Sequence, residues 1–364
     1  MRTRAAILSQ VNDPLAIGDV EIGEPQFGEV LVQMVASGVC HTDVSVMHGR
    51  LPVPLPAILG HEGAGIVHAV GPGVTKLSAG DHVVMAAVPH CGQCRACLGG
   101  KPFVCQHLLA LAFGGAMPDG TTRFRRDTEP LSHFFCQSSF AEYTLVPARN
   151  AIRVPTDVPL EQLGPLGCGV ETGAGAVLNT AHVQPGDSVA IFGCGGVGLS
   201  AVMAARLAKA FPIIAVDMRE PRLQLARDLG ATETIQADTT NVVEAIQQRT
   251  QGGVDNAFEC VGRADTIRQS VDCTRVGGTA VITGAVAAGG EVHLDGLGLL
   301  LKSIRGNHQG SSIPELFIPL LIDLWRRGEF PFDRLFSHTY SLPDINQAMT
   351  DMESGEVIKP IIRY

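Results

Sequence analysis

The fold of the second half of the chain is indicated by the stretch Ser188-Val-Ala-Ile-Phe-Gly-Cys-Gly-Gly-Val-Gly-Leu-Ser-Ala-Val-Met-Ala-Ala205. An apolar run at 188–192 leads directly into Gly193-Cys-Gly-Gly-Val-Gly198, and a helical pattern at 197–210 follows. A G-x-G-x-x-G pattern between a strand and a helix is typical of a dinucleotide-binding turn. The alternative is a glycine-rich turn that binds no ligand, but the flanking strand and helix favour the cofactor site.

The glycines of this motif have separate predicted roles. Gly193 makes the tight turn, Gly195 admits the pyrophosphate, and Gly198 lets the helix pack close to the strand. Asp217 stands at the end of the next apolar run, where a carboxylate can bind the 2′-hydroxyl of the adenosine ribose. The motif therefore predicts NAD over NADP, because a 2′-phosphate would face a carboxylate.

Around the motif, short apolar runs alternate with helical stretches. We predict strands at 188–192, 213–216, 254–259 and 279–283, and helices at 197–210, 221–229, 241–249 and 265–274. Such alternation predicts a parallel, doubly wound sheet. Up to about residue 155 the pattern is short β-type runs such as 29–35 and 65–70, and the tail has an amphipathic helix at 313–327 and a β-like end at 360–364. We expect an α/β chain whose tail returns to a mostly β N-terminal domain.

Composition excludes several classes of protein. The chain is 45% hydrophobic and 17% charged with a net charge of −9, which excludes disorder and disfavours non-specific binding to nucleic acid or to an anionic membrane. Its apolar stretches, such as 297–301 and 316–322, are far shorter than the ~20 residues that span a bilayer. The N-terminus reaches Ser9 and Gln10 before a signal-peptide core develops. We expect a cytoplasmic protein with a small-molecule substrate.

Four of the ten cysteines lie in one short segment. Cys91, Cys94, Cys97 and Cys105 have the spacing C-x2-C-x2-C-x7-C, which lets their thiolates converge on one tetrahedral ion. Four thiolates close the coordination shell, so this ion would stabilise its loop and take no part in chemistry. An iron–sulfur cluster fits less well, because its usual short motif places the fourth cysteine after three residues and before proline. We predict a structural zinc site.

Three further segments offer metal ligands, although a lone cysteine or histidine is more often a packed core residue. Together with the cysteines and the glycine motif they resemble the zinc-dependent medium-chain alcohol dehydrogenases over essentially the whole chain. The matching segments are Gly38-Val-Cys-His-Thr-Asp43, Gly60-His-Glu-Gly-Ala-Gly65, the four-cysteine segment, Cys168-Gly-Val-Glu-Thr-Gly173 and Gly193 to Gly198.

The resemblance implies two domains. A GroES-like catalytic domain would comprise residues 1–169 and 309–364, with the cysteine lobe at 88–110, and a Rossmann NAD-binding domain would comprise 170–308. It also implies a catalytic zinc ion held by Cys40, His61 and Cys168, with the fourth position left for water or substrate. Glu62 would lie just behind this metal. Asp43 would accept the second ring proton of His61 and so fix its tautomer.

The implied reaction is reversible hydride transfer from an alcohol to NAD, which yields the aldehyde. The hydroxyl of Thr42 would pass the proton of the alcohol to the nicotinamide ribose. Many relatives continue this relay with a histidine three residues further on, where this chain has Ser45. His48 lies a further turn along the chain and could serve only through water.

The remaining cofactor contacts are also implied by the resemblance. Val197 and Thr172 would contact the nicotinamide, Arg222 the adenosine ribose, and His41 and Lys359 the phosphates. Lys359 stands where relatives often have arginine, so it supplies the charge without the bidentate fork. For Arg222, a solvated helix residue is the alternative. The full cofactor set is His41, Thr172, Gly193, Gly195, Gly196, Val197, Gly198, Asp217, Arg222, Arg263 near the pyrophosphate, and Lys359.

Two classes within the family resemble the chain most, the glutathione-dependent formaldehyde dehydrogenases and the bacterial aryl alcohol dehydrogenases. The first class anchors a carboxylate of the glutathione adduct with an arginine four residues after the last lobe cysteine, and this chain has Leu109 there. Ala87 replaces a Phe or Tyr beside the zinc, and Phe134 and Phe135 would supply aromatic walls. We predict benzylic or similarly bulky primary alcohols as substrates, with Phe134 and Phe135 as ordinary core being the alternative.

Other functions stay in view. A thiol-adduct formaldehyde dehydrogenase is the first alternative, and a non-catalytic zinc-binding relative is the second, although none of the implied ligands is missing. A zinc ribbon that binds nucleic acid would need a basic face, but residues 91–105 contain only Arg95 and Lys101 as cations. The resemblance suggests a homodimer or homotetramer.

Overall fold

The computed structural model describes residues 1–286 and 289–364, and strands dominate its N-terminal part. The strands there are β1 (Arg2–Leu8), β2 (Ala16–Ile22), β3 (Glu29–Gly38), β4 (Ala57–Ile58), β5 (Glu62–Val70), β6 (His82–Met85), β7 (Phe124–Arg126), β8 (Glu129–Leu131), β9 (Tyr143–Pro147) and β10 (Ala151–Arg153). The α-helices among them are α1 (His41–Met47), α2 (Arg95–Leu98) and α3 (Leu108–Phe113).

Strands and helices alternate in the next part of the chain. They are α4 (Gly169–Gly175), β11 (Val189–Phe192), α5 (Gly196–Leu207), β12 (Ile213–Asp217), α6 (Glu220–Leu229), β13 (Glu233–Gln236), α7 (Val242–Thr250), β14 (Val254–Glu259), α8 (Ala264–Asp272), β15 (Thr274–Ile282) and β16 (Ser303–Gly306). The strands pair in parallel in the order β13-β12-β11-β14-β15-β16. This is the strand order of the dinucleotide-binding fold, so the predicted parallel sheet is confirmed.

The sequence analysis does not predict the two edge strands of this sheet. Strand β13 buries only Ile235, and all residues of β16 are exposed. An edge strand has a neighbour on one side only, so it lacks the continuous apolar run of a central parallel strand. Strand β15 begins at Thr274, ahead of the predicted 279, because the glycines at 277 and 278 weaken the strand pattern without ending the strand.

The tail adds two strands to one of the N-terminal sheets. Its elements are α9 (Pro314–Arg326), β17 (Thr339–Ser341), α10 (Ile345–Ser354) and β18 (Ile361–Arg363). Strand β18 pairs antiparallel with β3, with Ile361 opposite Gly38. The resulting seven-stranded sheet has the order β10-β6-β5-β3-β18-β17 with β9 also on β3, and a five-stranded sheet has the order β4-β1-β2-β7-β8.

The chain divides into two units. The first unit contains Met1–Cys168, Ile313–Leu321 and Asp333–Tyr364, and the second contains Gly169–Ser312 and Ile322–Phe332. The second unit therefore includes residues 322–332, which the sequence analysis assigns to the catalytic domain. Among the described residues, no helix has both the length and the apolar character needed to cross a membrane.

Candidate active site

Neighbouring strand ends bring the candidate ligands of the first unit together. Gly38 at the end of β3 pairs with Glu62 at the start of β5. Cys40 therefore follows one strand, and His61 directly precedes the adjacent strand. The backbone N–H of Ala87 donates to the carbonyl of the residue before Cys168, at 2.7 Å. Segments more than a hundred residues apart in the chain therefore meet at one place.

The clustered side chains form a metal-binding donor set. Ligand atoms of Cys40, His61, Glu62 and Cys168 all lie within 4.8 Å of one another. His61 is fully buried, and its Nε2 has no hydrogen-bond partner, which is costly unless a further group binds there. A hydrogen bond from the Cys168 thiol, opposed by burial and assisted by the charge of His61, lowers the pKa of Cys40 well below its ordinary value. These residues fit the catalytic zinc that the resemblance implies.

Asp43 holds both ligand-bearing segments. Its Oδ2 accepts the backbone N–H of Cys40 at 2.9 Å, and its Oδ1 accepts the backbone N–H of Gly60 at 3.1 Å. The same Oδ1 lies 3.2 Å from Nδ1 of His61. Because this buried carboxylate accepts the Nδ1 proton, Nε2 is the ring nitrogen available to a metal ion.

Lys359 is buried next to Glu62. Its Nζ donates to both carboxylate oxygens of Glu62, at 2.8 and 2.9 Å, and to the carbonyl of Val39 at 3.1 Å. Burial would lower the pKa of Lys359, but Glu62 and the thiols of Cys40 and Cys168 raise it above the ordinary value. All three ammonium protons are donated within the chain, so Lys359 neutralises Glu62 beside the candidate metal ligands. The predicted contact of Lys359 with a cofactor phosphate stays a prediction.

The residues of the predicted proton relay lie on α1. The hydroxyl oxygen of Thr42 is 3.6 Å from Sγ of Cys40, and Ser45 is partly buried. His41, the first residue of this helix, is exposed.

His48 follows α1 at the surface. Its Nδ1 lies 3.0 Å from Oδ1 of Asn12, and its Nε2 lies 3.2 Å from the carboxylate of Glu353. Both ring nitrogens therefore face acceptor oxygens outside the metal cluster, and no direct contact between His48 and Thr42 is formed.

The predicted pocket residues separate into two groups. Leu109 is 72% exposed on α3, whereas Ala87 and Phe134 expose no surface and Phe135 exposes 5%. Ala87 and Phe134 pack in the core of the first unit. Their place in a substrate pocket stays a prediction. Phe135 stacks on the ring of His61.

The four-cysteine segment forms a second cluster. Its closest sulfur pairs are Cys94–Cys97 at 3.5 Å and Cys91–Cys105 at 3.6 Å, and two further pairs lie at 3.9 and 4.0 Å. Four sulfurs at about 2.3 Å from a tetrahedral zinc ion would be about 3.8 Å apart, so the cluster fits this metal. The sequence analysis does not identify Arg149, whose guanidinium donates to the carbonyl of Cys91 and ties the lobe to the end of β9.

The glycine turn of the second unit has the geometry that the motif predicts. Gly193 has a φ of 89°, which favours glycine, and a Cβ on Gly198 would lie 1.7 Å from the carbonyl oxygen of Gly193. A Cβ on Gly195 would meet nothing within 4 Å, so the backbone is open to a ligand there. Gly196 and Val197 begin α5. A helix N-terminus with an open backbone approach is suited to a pyrophosphate.

Asp217 lies beside this turn at the end of β12. Its Oδ2 accepts the backbone N–H of Cys194 at 2.7 Å, and its Oδ1 accepts that of Arg219 at 2.9 Å. Arg222 lies in the first turns of α6. The carboxylate is thereby fixed next to the glycine loop.

Two other predicted cofactor residues have partners inside the second unit. Arg263 precedes α8 and pairs with Asp265 at 2.9 Å, with most of its side chain exposed. The hydroxyl of Thr172 donates to Oε1 of Gln309 at 3.2 Å.

Sequence reasoning missed Glu259, which ends β14 opposite Phe192. Its Oε1 accepts the backbone N–H groups of Val261 and Gly262, at 2.9 and 2.8 Å, and the hydroxyl of Thr266 at 2.7 Å. This buried carboxylate therefore shapes the loop beside the glycine turn. The available signal was a charged residue at the end of an apolar strand.

Comparison with known proteins agrees with this arrangement. Residues 26–156 match the model of the alcohol dehydrogenase GroES-like domain, and residues 196–324 match that of the zinc-binding dehydrogenases. The chain is 41% identical to the S-(hydroxymethyl)glutathione dehydrogenase of Synechocystis sp., with both chains covered completely. It is 42% identical to the geraniol dehydrogenase of Castellaniella defragrans, over 99% of this chain and 97% of that one.

Solved structures give the same result. The benzyl alcohol dehydrogenase of Acinetobacter calcoaceticus superposes with a TM-score of 0.96 at 43% identity, over 100% of this chain and 99% of that one. A zinc-binding dehydrogenase from Sinorhizobium meliloti, bound to NADP, superposes with a TM-score of 0.84 at 27% identity, with both chains covered completely. The GroES-like and Rossmann-type α/β fold is thereby confirmed, and the chain belongs to the zinc-binding medium-chain alcohol dehydrogenases, a family of oxidoreductases with small-molecule substrates.

Proposed function

We propose that this oxidoreductase converts bulky, apolar primary alcohols, benzylic alcohols among them, to aldehydes with NAD as the hydride acceptor. The observation that carries the reaction type is the buried cluster of Cys40, His61 and Cys168, in which Asp43 orients the imidazole and Nε2 has no partner. In this proposal the first unit holds the catalytic zinc ion and the second unit holds the cofactor turn.

The chain's own residues have definable tasks in this reaction. When bound, zinc supplies a Lewis acid that stabilises the negative charge developing on the alcohol oxygen while hydride leaves the carbinol carbon. Asp43 keeps the proton of His61 on Nδ1. Thr42 relays the alcohol's proton, because its hydroxyl lies beside Cys40. Beyond Thr42 the proton passes through water, since the ring nitrogens of His48 are engaged elsewhere.

Charge balance in the buried site supports a divalent cation. With a metal bound, Cys40 and Cys168 would be thiolates and would carry three negative charges together with the carboxylate of Glu62, while Lys359 supplies one positive charge within hydrogen-bond distance of Glu62. A divalent ion completes neutrality. Buried charges are tolerated when they are paired in this way. In the same proposal a structural zinc ion occupies the four-cysteine cluster.

The preference for NAD is supported by Asp217. Its carboxylate is held beside the glycine loop by two backbone N–H groups, where it would bind ribose hydroxyls and repel a 2′-phosphate. Because one structural neighbour contains NADP, the preference is tested directly. We expect a higher kcat/KM with NAD than with NADP, and a reduced preference in Asp217→Ser. An equal or better kcat/KM of the unmodified enzyme with NADP would refute the assignment.

The substrate class is supported by Leu109. An exposed leucine cannot pair with the carboxylate of a glutathione adduct, which an arginine at this position would do. Two relatives at 42% and 43% identity are named for geraniol and benzyl alcohol. Burying an aromatic ring removes on the order of 100 Å² of apolar surface, worth ~2 to 3 kcal/mol. We therefore expect benzyl alcohol to exceed ethanol in kcat/KM by about tenfold or more.

Oxidation of S-hydroxymethylglutathione is the second candidate, because a relative with 41% identity carries that name. A panel of benzyl alcohol, geraniol, ethanol and S-hydroxymethylglutathione with NAD separates the two. Leu109→Arg should raise kcat/KM for the glutathione adduct about tenfold, through a charge-assisted hydrogen bond. Leu98→Arg, another exposed leucine of the lobe, is the matched control and should leave the ranking unchanged. A preference of the unmodified enzyme for the glutathione adduct would refute the apolar-alcohol proposal.

A non-catalytic role predicts zinc binding with no turnover on the whole panel. The cytoplasmic location and the homodimeric or homotetrameric state stay predictions.

A further inference from the structure

The segment 133–139 packs directly against a candidate metal ligand. We propose that Phe135 is a positioning residue for the catalytic metal: its ring fixes the tilt of the His61 imidazole and thereby the direction of Nε2. This inference rests on the proposed function, since it assigns His61 as a zinc ligand. It gives Phe135 a task different from that of an aromatic pocket wall.

The ring geometry is the first observation. The rings of Phe135 and His61 are stacked, with centroids 4.6 Å apart and planes 20° apart. Phe134 meets the same imidazole edge-on, with centroids at 5.4 Å and planes at 87°. Phe113 then packs edge-on against both phenylalanines. The imidazole therefore has one face and one edge held by a connected aromatic cluster.

The hydrogen bond to Asp43 does not fix the imidazole by itself. It holds one ring atom, Nδ1 of His61, and leaves the ring free to tilt about that contact. A flat ring packed parallel to the imidazole removes this freedom. The direction of Nε2 is thus determined by Asp43 and Phe135 together, which is the outer-shell arrangement that tunes metal ligands.

The backbone of the segment is the second observation. Phe135, Cys136 and Ser138 have φ values of 53°, 51° and 49°, a left-handed conformation that residues other than glycine rarely adopt. Such a conformation persists only where the surroundings hold it, and it concentrates at functional sites. An ordinary core phenylalanine needs no strained backbone, because many regular elements could supply a buried ring.

The hydrogen bonds of the segment are the third observation, because they tie it to the chain that carries the ligand. The backbone N–H of Phe135 donates to the carbonyl of Ala112 at 2.9 Å, and that of Ser139 donates to the carbonyl of Gly60 at 3.0 Å. Gly60 directly precedes His61. The segment that carries Phe135 is therefore tied by a backbone hydrogen bond to the residue before the ligand.

The test compares metal binding at the two zinc sites of full-length protein. Phe135→Leu and Phe135→Met remove the flat ring and keep an apolar side chain. If one of the two variants does not fold, the other can still be tested. Phe135→Tyr keeps the ring. Phe124→Leu is the matched control, because Phe124 is equally buried in the same core and its ring packs on His133, outside the metal cluster. Zinc content is measured by elemental analysis, and zinc release by competition with a chromophoric chelator.

We expect two zinc ions in the unmodified chain, and a loss of affinity of about tenfold at one site in the leucine and methionine variants. The tyrosine variant and Phe124→Leu should keep the affinity of the unmodified chain. Cobalt(II) exchange identifies the affected site, because its visible bands differ between a two-cysteine, one-histidine site and a four-cysteine site. These bands should change in the ringless variants and persist in Phe135→Tyr.

Two results would overturn the inference in distinguishable ways. One result is that the unmodified chain binds two zinc ions and that the Phe135→Leu and Phe135→Met variants bind both with the same affinity as Phe124→Leu. Phe135 then does not position the ligand, and the proposed function stands. If the unmodified chain binds zinc only at the four-cysteine cluster, the proposed function itself fails and the inference fails with it.

Discussion

The two cysteine-containing clusters of the first unit are built in opposite ways. The four-cysteine cluster draws all its donors from residues 91–105, and its sulfurs are 3.5 to 4.0 Å from their neighbours. The other cluster draws Cys40, His61 and Cys168 from three distant segments and buries an imidazole nitrogen without a hydrogen-bond partner. Four thiolates close the coordination of zinc, whereas three protein ligands leave a position open.

The two clusters depend on different parts of the molecule. The four-cysteine cluster needs little beyond its own loop, so its metal would stabilise that loop locally. The second cluster depends on strand pairing, on Asp43 and on the Glu62–Lys359 pair. Substitutions far away in the sequence should therefore also change its metal binding. Substitutions at both clusters and at their neighbours test this difference.

The first prediction separates the two clusters by function. Cys168→Ala should lower kcat for the alcohol by about 10³-fold or more, because it removes a ligand of the Lewis acid, while the fold is retained. Cys97→Ala should instead lower the melting temperature by several degrees, because it opens the closed shell of the lobe. Turnover, zinc content and thermal melts are measured on both variants. Equal losses of turnover with no difference in stability would contradict the contrast.

The second prediction concerns the buried Glu62–Lys359 pair. Lys359→Met leaves the carboxylate of Glu62 unpaired in the core and should destabilise the fold by about 3 to 5 kcal/mol. The double variant Lys359→Met, Glu62→Gln should recover part of this loss, since no lone charge is left. Denaturant unfolding gives the free energies, and binding of NADH is measured in parallel. A loss of NADH affinity in Lys359→Met with unchanged stability would instead support the predicted contact of Lys359 with a cofactor phosphate.

The third prediction concerns the orientation of His61. Asp43→Asn keeps the size of the side chain but weakens its acceptor for Nδ1–H, so zinc affinity at this cluster should fall about 10- to 100-fold. Asp81→Asn is the control, since Asp81 accepts the backbone N–H of Ser78 near the surface. Chelator competition gives the affinities. The two variants behaving alike would mean that Asp43 does not tune the ligand.

The fourth prediction is the smallest, since its effect vanishes at neutral pH. Burial, followed by the charge of Arg123, lowers the pKa of His133 to about 3. The unfolded chain protonates its histidines near pH 6.5, so below that pH it takes up a proton that the folded chain does not. Folding stability is therefore lost as the pH falls from about 6.5 towards 3.

His133→Gln tests this directly, since glutamine keeps an acceptor for the backbone N–H of Arg123 without titrating. Melting temperatures at pH 7.5 and pH 5 should differ less in the variant than in the unmodified chain. A pH dependence that the substitution leaves unchanged would show that His133 is not the titrating group.

Much of the second unit could be predicted because its signals are local. The strands β11 and β14 and the helices between them carry continuous apolar runs or amphipathic patterns, and Gly193 to Gly198 occupy one turn. The edge strands β13 and β16 could not be predicted, because they pair on one side only and their residues are largely polar or exposed. The site residues that could be predicted belong to short motifs, and their roles as ligands and cofactor contacts stay proposals.

Spacing along the chain is enough to predict the parallel sheet with its glycine turn. It is also enough to predict that the sulfurs of the four-cysteine segment lie close together. The folded chain alone shows that Lys359 pairs with Glu62, that His48 contacts Asn12 and Glu353, and that Phe135 stacks on His61. The physical reason is the distance along the chain over which each feature is determined. Motif geometry is restricted by a few backbone torsions between neighbours, whereas a partner for a buried charge or ring is chosen by packing among all residues that the fold brings within a few ångströms.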